Sequence, residues 1–594
     1  MKIKITFFFF FFFTLNIFSQ ILFEKIGNSP LVNTPTDSRS VNFIDVNNDG
    51  WDDIFVTNGA SPGTPNLFFL NDGSGNFIQI NSGDIVSHAA PFDGASFADM
   101  DNDGSLDAAV VTWYGALNYF YLGNGDGTFQ YVGDAAPSLE NSYSETAAWG
   151  DPDGDGDLDL YVSNSTNLNG TPLKNFYYKN EGNGNFTKII SGGFVVQARA
   201  SRSVNWVDYD NDCDLDLFVS NEANQADNLY RNDGNGNFSL APFAPSQSSL
   251  STMSSSWGDV DNDGDLDLFV TNAAYFGEQK NQLFTNNGDA TFTEITSGDL
   301  VTDGGCSYGS NFGDYDNDGD LDLVVSNGYC SGNTVNFLYE NDGNGNFNRN
   351  LEAIEDLNTP CSYGAAWGDI NNDGFLDLGI ATCKNTSGAS PSENLFYKNI
   401  GNGNNWLKIK PVGTTVNRSA IGARVSVTAD INGEETTQLR DISAQSGYCG
   451  QNGMYAHFGL GDATVVKELH VQFACGLDTT LFDVPANQFL TITEGLTTPV
   501  IDLSFLEKWD IKISPNPVSD HFVLSFNPTT SINNLTLQLM DTTGQVLWEN
   551  NFNNISPGYF EKTIDVKHIG VEAGTYILKI SGDGSMAGEV LIVF

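Results

Sequence analysis

The sequence predicts an all-β chain: a seven-bladed β-propeller over residues 20–404, then a small β-rich domain, then a C-terminal β-sandwich. Three observations predict it. A nine-residue acidic loop recurs seven times, beginning at Asp45, Asp99, Asp151, Asp208, Asp259, Asp314 and Asp369, in steps of 51 to 57 residues. Short apolar and aromatic runs bounded by Asn-Asp-Gly clusters flank the loops, the signal of strands and hairpins. No segment of the repeats sustains a helical period. A period of this length suits one four-stranded blade per repeat, and seven blades make a ring.

Each loop reads D-x-[DN]-x-D-G-x-x-D or departs from it at one position. Positions 1, 3, 5 and 9 are Asp45, Asn47, Asp49 and Asp53 in the first copy, Asp99, Asp101, Asp103 and Asp107 in the second, and Asp151, Asp153, Asp155 and Asp159 in the third. The fourth has Asp208, Asp210, Asp212 and Asp216, and the fifth Asp259, Asp261, Asp263 and Asp267. The sixth has Asp314, Asp316, Asp318 and Asp322, and the seventh Asp369, Asn371, Asp373 and Asp377. Position 7 is Trp51, Ser105, Asp157, Asp214, Asp265, Asp320 or Phe375, which share no side-chain chemistry. A position open to any side chain, set among positions that admit only oxygen side chains, is expected where the backbone carbonyl is the ligand. Ca²⁺ takes six to eight oxygens and is served this way in helix-loop-helix sites. Position 9 takes the closing role that a position-12 Glu has there.

Gly fills position 6 in six copies, where the chain must turn sharply with φ above zero, and Cys213 stands there in the fourth. A non-glycine residue in that conformation costs about 1 kcal/mol, so the fourth site is expected to be the most distorted. An ordinary hairpin turn would explain any single loop. It does not explain seven, because carboxylates within about 4 Å repel by roughly 4 kcal/mol per pair at an effective dielectric of 20. The sequence therefore predicts up to seven Ca²⁺, one per blade. Mg²⁺ prefers to keep several waters. Zinc finds only His88 and unclustered Cys in the repeats.

An aromatic stands two residues before each loop (Phe43, Phe97, Trp149, Trp206, Trp257, Phe312, Trp367) and is expected in the core between blades. A second pattern follows each loop, as in NLFFLNDGSGNF from Asn66. Each repeat reads strand, metal loop, strand, connector, strand, turn, strand. The seventh lacks an obvious fourth strand. LFEKIGNS from Leu22 resembles the fourth strands at Phe186 and Phe292, so Phe23 to Ile26 are expected to complete the last blade. These repeats resemble the FG-GAP and VCBS repeats of calcium-binding β-propellers, including the integrin α-subunit head, over about residues 22–405. The resemblance implies calcium in the loops.

The formal charge of −50, from 75 acids against 25 bases, argues against nucleic acid and anionic membranes as partners. Lys2 and Lys4, a run of seven Phe from Phe7 and the small Ser19 read as a secretory signal over residues 1–19, cleaved before Gln20. No later segment is long and apolar enough to span a bilayer. Seven Cys in an exported chain suggest disulfides. Cys306 and Cys361 each precede a loop by eight residues, and Cys330 and Cys383 end the strand after it. The expected pairs are Cys306–Cys330 and Cys361–Cys383, with Cys449–Cys475 a third and Cys213 left as a thiol.

From Asn405 the composition changes, and Arg418, Arg424 and Arg440 appear close together. Asn417-Arg418, Ile421-Gly422-Ala423-Arg424 and Phe458-Gly459-Leu460-Gly461 make residues 405–499 resemble the ASPIC/UnbV domain, in the arrangement found in cartilage acidic protein-like chains. Arg418 and Arg424 are expected in salt bridges to the acidic neighbourhood, ahead of a carboxylate ligand. Residues 500–510 read as a linker. Pro515-Asn516-Pro517, Gly544 and Gly574-Thr575-Tyr576 make residues 511–594 resemble the type A sorting domain of the type IX secretion system. That resemblance implies a Gram-negative source, the secretion machinery as a partner, and a secreted or cell-surface location.

These features favour a non-catalytic, calcium-dependent binding or adhesion protein with a glycan or extracellular protein as ligand. The alternative is a polysaccharide lyase or hydrolase on the same scaffold, with a Tyr, His or Lys as base. The sequence holds no HExxH and no nucleophile elbow, its five His are scattered, and no catalytic residue is assigned.

Overall fold

The computed structural model describes residues 21–594 apart from 74, 242–249, 275–276, 330–333, 355–356, 358–360, 385–391, 475, 497–499, 502–511, 515–520, 527–531, 541–545, 557, 559, 570–573, 583–584 and 594. The signal segment, its cleavage point, most of the linker, Cys330, Cys475, Pro515-Asn516-Pro517 and Gly544 lie outside the described residues.

Seven four-stranded antiparallel blades hold the seven loops. Blade 1 runs Ser38–Ile44, Asp53–Asn58, Leu67–Asn71 and Phe77–Ile80, and the next five repeat that order. Blade 7 consists of Ser362–Gly368, Asp377–Thr382 and Leu395–Asn399, and its outer strand is Phe23–Lys25, with Phe23 opposite Asn399. The first strands lie side by side around a central axis, and that of blade 7 packs against that of blade 1. Each second strand begins at the ninth loop residue, as at Asp53, Asp107 and Asp159, and is buried on both sides between neighbouring blades. That is why these strands read as continuous apolar runs rather than alternating ones.

The aromatics before the loops are the inter-blade core, as expected. Six of the seven are buried and Trp257 is half-buried. The indole N–H groups of Trp149, Trp206 and Trp367 donate to Ser96 O, Ala148 O and Asn311 O of the preceding blade. At the seam between blades 7 and 1, a Cβ on Gly368 would fall 2.3 Å from the ring of Phe43. Glycine there lets the two blades approach.

Cys361 and Cys383 form a disulfide across the end of blade 7, with Cα atoms 5.1 Å apart. Cys306 is also disulfide-bonded. The expected Cys449–Cys475 pair is not formed. Cys449 is a buried thiol, because its segment leaves the second module and enters the ring. Cys213 is likewise a thiol. The Cys361–Cys383 loop spans 22 residues, so replacing both Cys by Ala is expected to cost about 3 kcal/mol in urea unfolding.

The second module packs two sheets around one apolar core that includes Leu407, Val425, Phe458 and Leu469. One sheet joins Asn405–Val412 to Ala456–Gly461 and Gln488–Thr493, the other Arg424–Ile431 to Glu434–Asp441 and Val465–Gln472. The C-terminal strands form two further sheets, of three and four strands, with their own core at Phe522, Leu537 and Leu578. No helix among the described residues is long and apolar enough to cross a membrane.

Candidate metal loops and the plugged channel

All seven loops share one hydrogen-bond scheme. The first Asp accepts the position-5 N–H on Oδ1 at 3.0–3.2 Å. It accepts the position-6 N–H on Oδ2 at 2.8–3.2 Å. The fifth residue accepts the position-7 N–H at 2.8–3.1 Å. Position 6 has φ from 81° to 107° where it is Gly and 72° at Cys213.

Position 9 has a second task that its spacing did not reveal. Its Oδ1 accepts the N–H of the last residue of the third strand, as from Asn71 to Asp53 at 2.7 Å and Asn232 to Asp216 at 2.7 Å. Its Oδ2 accepts the position-2 N–H, as from Met100 to Asp107 at 3.0 Å. In the third loop position 2 is Pro152, which has no N–H, and the Tyr177 hydroxyl donates to Asp159 instead. Position 9 therefore staples the loop to its blade as well as facing the other acids.

Three carboxylate oxygens lie within 4.8 Å of one another in the loops of blades 2 to 6. The groups are Asp99, Asp101 and Asp107; Asp151, Asp153 and Asp155; Asp208, Asp210 and Asp216; Asp259, Asp261 and Asp263; and Asp314, Asp316 and Asp322. The fourth loop is thus not the distorted one, because Cys213 adopts the left-handed backbone and still donates its N–H to Asp208 at 3.2 Å. Loops 1 and 7 differ instead. There Asn47 and Asn371 turn their amide N–H toward Asp49 and Asp373, at 2.8 and 2.6 Å.

The donor set fits a hard cation. Asp153 Oδ1, Asp210 Oδ1, Asp261 Oδ1 and Asn371 Oδ1, all from position 3, are buried oxygens with no hydrogen-bond partner. Burial, reinforced by neighbouring loop acids, pushes the carboxyls of Asp107, Asp159 and Asp267 up to about 8 and that of Asp216 up to about 9. A bound divalent ion would satisfy the orphaned oxygens and allow these acids to ionise.

Two signals were missed in the sequence. Position 4 is Asn in six loops, and its side chain ties each loop to the next: Asn48 to Gly104 O, Asn102 to Gly156 O, Asn317 to Gly374 O and Asn372 to Gly50 O at 2.8–3.0 Å. Asn211 and Asn262 reach the position-7 carboxylates Asp265 and Asp320 in the same way. Position 8 is Leu in every loop except the first, where it is Asp52. The Asp52 carboxylate accepts the Tyr455 hydroxyl at 2.8 Å and the Asp369 N–H at 2.9 Å.

The second module lies over the loop face and meets it with its basic residues. Lys408 contacts Asp369 Oδ2 at 3.0 Å, Lys410 Asp45 Oδ2 at 3.6 Å, Arg418 Asp99 Oδ2 at 3.6 Å and Arg424 Asp208 Oδ2 at 3.7 Å. Gly459 N–H donates to Asp314 Oδ2 at 2.9 Å. Arg440 is buried where its charge opposes the rise, caused by burial, of Asp259 and Asp314, each to about 7. Loop 3 instead has Lys179 of its own blade against Asp153 and Asp155. The expected internal pairing of Arg418 and Arg424 is what the structure has. In the four ion pairs and at Gly459 the module meets Oδ2, while Oδ1 accepts the position-5 N–H of the loop.

The segment from Ala444 to Tyr455 continues inward and plugs the channel. Gln451 exchanges side-chain hydrogen bonds with Phe97 at 2.8 and 3.0 Å, and its backbone pairs with Val41 and Phe43. Asn452 and Asn311 exchange amide bonds at 2.8 and 3.0 Å. Gly94, Gly309 and Gly364 make room at the tip, since a Cβ on them would lie 3.2 Å from Cys449, 2.7 Å from Tyr448 and 3.5 Å from Cys449. The Tyr448 hydroxyl sits between Asp93 at 2.9 Å and Glu145 at 2.8 Å.

At this far end the second residue of each first strand forms a ring: Arg39, Asp93, Glu145, Arg202, Met253, Tyr308 and Tyr363. The residue before it is Ser or Thr in six blades. The repeat is thus nearly uniform at the acidic loops and varied in this ring. Arg202 bridges Glu145 at 2.8 Å and Glu222 at 2.9 Å, and the Arg39 guanidinium lies 4.1 Å over the Tyr363 ring.

Comparison with known proteins agrees with this architecture. The model of the FG-GAP-like repeat matches residues 45–110, 99–162, 208–270 and 271–325. That of ASPIC and UnbV matches 413–499, and that of the secretion system C-terminal sorting domain matches 512–593. The chain is similar to cartilage acidic protein 1 of Mus musculus, 27% identical over 297 residues, which is 48% of this chain and 36% of that protein. The Xenopus tropicalis protein is 24% identical over 353 residues, 58% and 43% of the two chains. The chain therefore spans less than half the length of these relatives.

Among solved structures, an Agrocybe aegerita lectin that recognises non-reducing terminal N-acetylglucosamine gives a TM-score of 0.38 at 18% identity, over 55% of this chain and 82% of its own. The V. cholerae biofilm matrix protein Bap1 gives 0.31 at 10% identity, over 97% and 85%. The C-terminal match implies export by the type IX secretion machinery. Along its length the chain thus carries segments that match the FG-GAP-like repeat, then one that matches ASPIC and UnbV, then one that matches the secretion system C-terminal sorting domain.

Proposed function

We propose that this is a secreted or surface-attached binding protein whose propeller is stabilised by calcium and presents a rigid surface to a glycan or protein ligand. The ring takes residues 20–404, the module 405–499, and residues 511–594 engage the export machinery. The observation that carries the reading is the placement of the loops beneath the second module, which meets the first-Asp Oδ2 in five of the seven. Ions held by the remaining oxygens are enclosed at an internal interface and act structurally. They neutralise acids that would otherwise repel, and ligand binding depends on them without contact. Native mass spectrometry of the exported protein tests this. Several bound Ca²⁺ are expected, with the five loops that have Asp at position 3 filled most tightly. A compact, metal-free exported form overturns the reading.

A further inference from the structure

The third strand of each blade meets its own loop at one fixed point. Its last residue donates its N–H to the position-9 Oδ1 in all seven blades, at 2.7–3.0 Å. Where that residue is Asn its side chain turns to the preceding blade, as when Asn180 Nδ2 donates to Met100 O at 2.8 Å. Successive side chains of a strand point to opposite faces, so the residue before it turns the other way, toward its own loop.

From blade 1 to blade 7 that residue is Leu70, Leu122, Lys179, Arg231, Thr285, Glu340 and Lys398. The loop acids hardly change around the ring, while this neighbour runs from cation to anion. Its charge bears on positions 3 and 5. Burial raises the carboxyls of Asp210, Asp316 and Asp373; Glu340 adds to the rise at Asp316, and Arg231 and Lys398 oppose it at Asp210 and Asp373. Loops 3 to 6 have Asp at all of positions 1, 3, 5, 7 and 9, and so differ chiefly in this residue.

Blade 3 carries the effect furthest. The Lys179 ammonium pairs with Asp153 Oδ2 and lies 3.3 Å from Asp155 Oδ2. These are positions 3 and 5, and both belong to the three carboxylates that converge in this loop. The basic residues of the second module are placed differently, since Lys408, Lys410, Arg418 and Arg424 meet position 1. They stand beside a loop, whereas Lys179 puts a cation on two carboxylates that a divalent ion would share. Its side chain is 28% exposed, so it can withdraw into water.

We propose that this third-strand residue sets the calcium affinity of its loop, and that Lys179 makes loop 3 the last of the five convergent loops to fill. Calcium entering loop 3 must displace an ammonium, whereas calcium entering loop 6 meets the added charge of Glu340. Among the four loops with five Asp, filling therefore runs from loop 6 through loops 5 and 4 to loop 3. Calcium sites of extracellular modules have Kd values of about 10⁻⁴–10⁻³ M. Loop 3 is then the site whose occupancy follows ambient calcium, and each ion that enters releases the Lys179 head to the surface. The inference rests on the calcium reading above and adds the order in which its sites fill.

The test is native mass spectrometry of the mature full-length protein, stripped with chelator and titrated with Ca²⁺ alone. The last of the five ions is expected to need about tenfold or more free calcium than the first, given the charge of one ammonium at contact distance. Lys179→Leu installs the residue of blades 1 and 2 and should lower that last step about tenfold. Asp153→Asn added to it should remove the regained ion, which assigns the step to loop 3. A purely structural ion pair predicts the opposite, since its loss would loosen the loop and weaken the site. Leu122→Lys should raise one further step about tenfold, and it decides the matter if Lys179→Leu fails to fold. Melting in chelator reports the fold of each variant.

Filling steps unmoved in either folded variant overturn the grading and leave the calcium sites standing. A protein that takes up no ion at millimolar calcium overturns the calcium reading, and the grading with it.

Discussion

Chelation of calcium is expected to lower the melting temperature of the mature protein by about 10 °C or more. One site filled at a hundredfold excess over its Kd contributes about 2.7 kcal/mol. Four such sites, out of the five convergent acid groups, are enough at roughly 1 °C per kcal/mol for a domain of this size. The pH dependence fixes the cause. In the metal-free fold, burial raises Asp107, Asp159 and Asp267 to about 8. In the unfolded chain they ionise near 3.9. The folded form then binds more protons than the unfolded one across that interval, so its stability is fully present below about 4 and drains away as the pH climbs to about 8. The chelated protein should therefore melt at a higher temperature at pH 5 than at pH 7.5. With calcium in excess the metal replaces those protons, and the gap between loaded and chelated forms widens as the pH rises. Thermal melts at both pH values, with and without chelator, measure this. A chelated form that gains stability from pH 5 to 7.5 would show that the buried acids are not the source of the effect.

Much of the ring was legible because repetition averages out local ambiguity. Seven copies of one spacing identified the loop, the strand after it and the aromatic before it, and residues 23–25 could be matched to a missing edge by likeness to other fourth strands. What repetition hid is just as specific. The double role of position 9 leaves no trace in residue identity, since a ligand and a staple are both Asp. Asp52, the lone acid at a Leu position, was passed over, and only its partner Tyr455, 403 residues away, explains it. The disulfide expectation for Cys449 failed for a related reason. Pairing was inferred within the second module, but the segment that carries it is the plug, and its surroundings belong to the ring. Contacts between domains have no periodicity to betray them.

Replacing Lys408 by Met should cost about 3–5 kcal/mol, far more than the same change at the half-exposed Lys410 of the same interface. The Lys408 side chain is 1% exposed and that of Asp369 is 0% exposed, with Nζ 3.0 Å from the carboxylate and 3.1 Å from Asn372 Oδ1. The ammonium also lies 4.1 Å over the Tyr455 ring and 4.9 Å over Phe489. Met keeps the packing of the stem but leaves a buried carboxylate uncompensated, which is the expensive way to break such a pair. Lys410, 34% exposed and 3.6 Å from Asp45, should cost less than about 1 kcal/mol when changed to Met, because its ammonium is partly in water and Asp45 keeps the Asp49 and Gly50 N–H donors. Urea unfolding of both variants gives the ratio, with an unchanged m-value showing that the denatured state is not the cause. The same measurement tests whether Asp369 is a metal ligand. Lys408 takes Oδ2, while Oδ1 faces the loop, so an ion on Oδ1 would neutralise the same carboxylate from its other side. The cost of Lys408→Met should then be clearly smaller in calcium than in chelator. Equal costs in the two would remove Asp369 from the metal site while leaving its pairing with the second module intact.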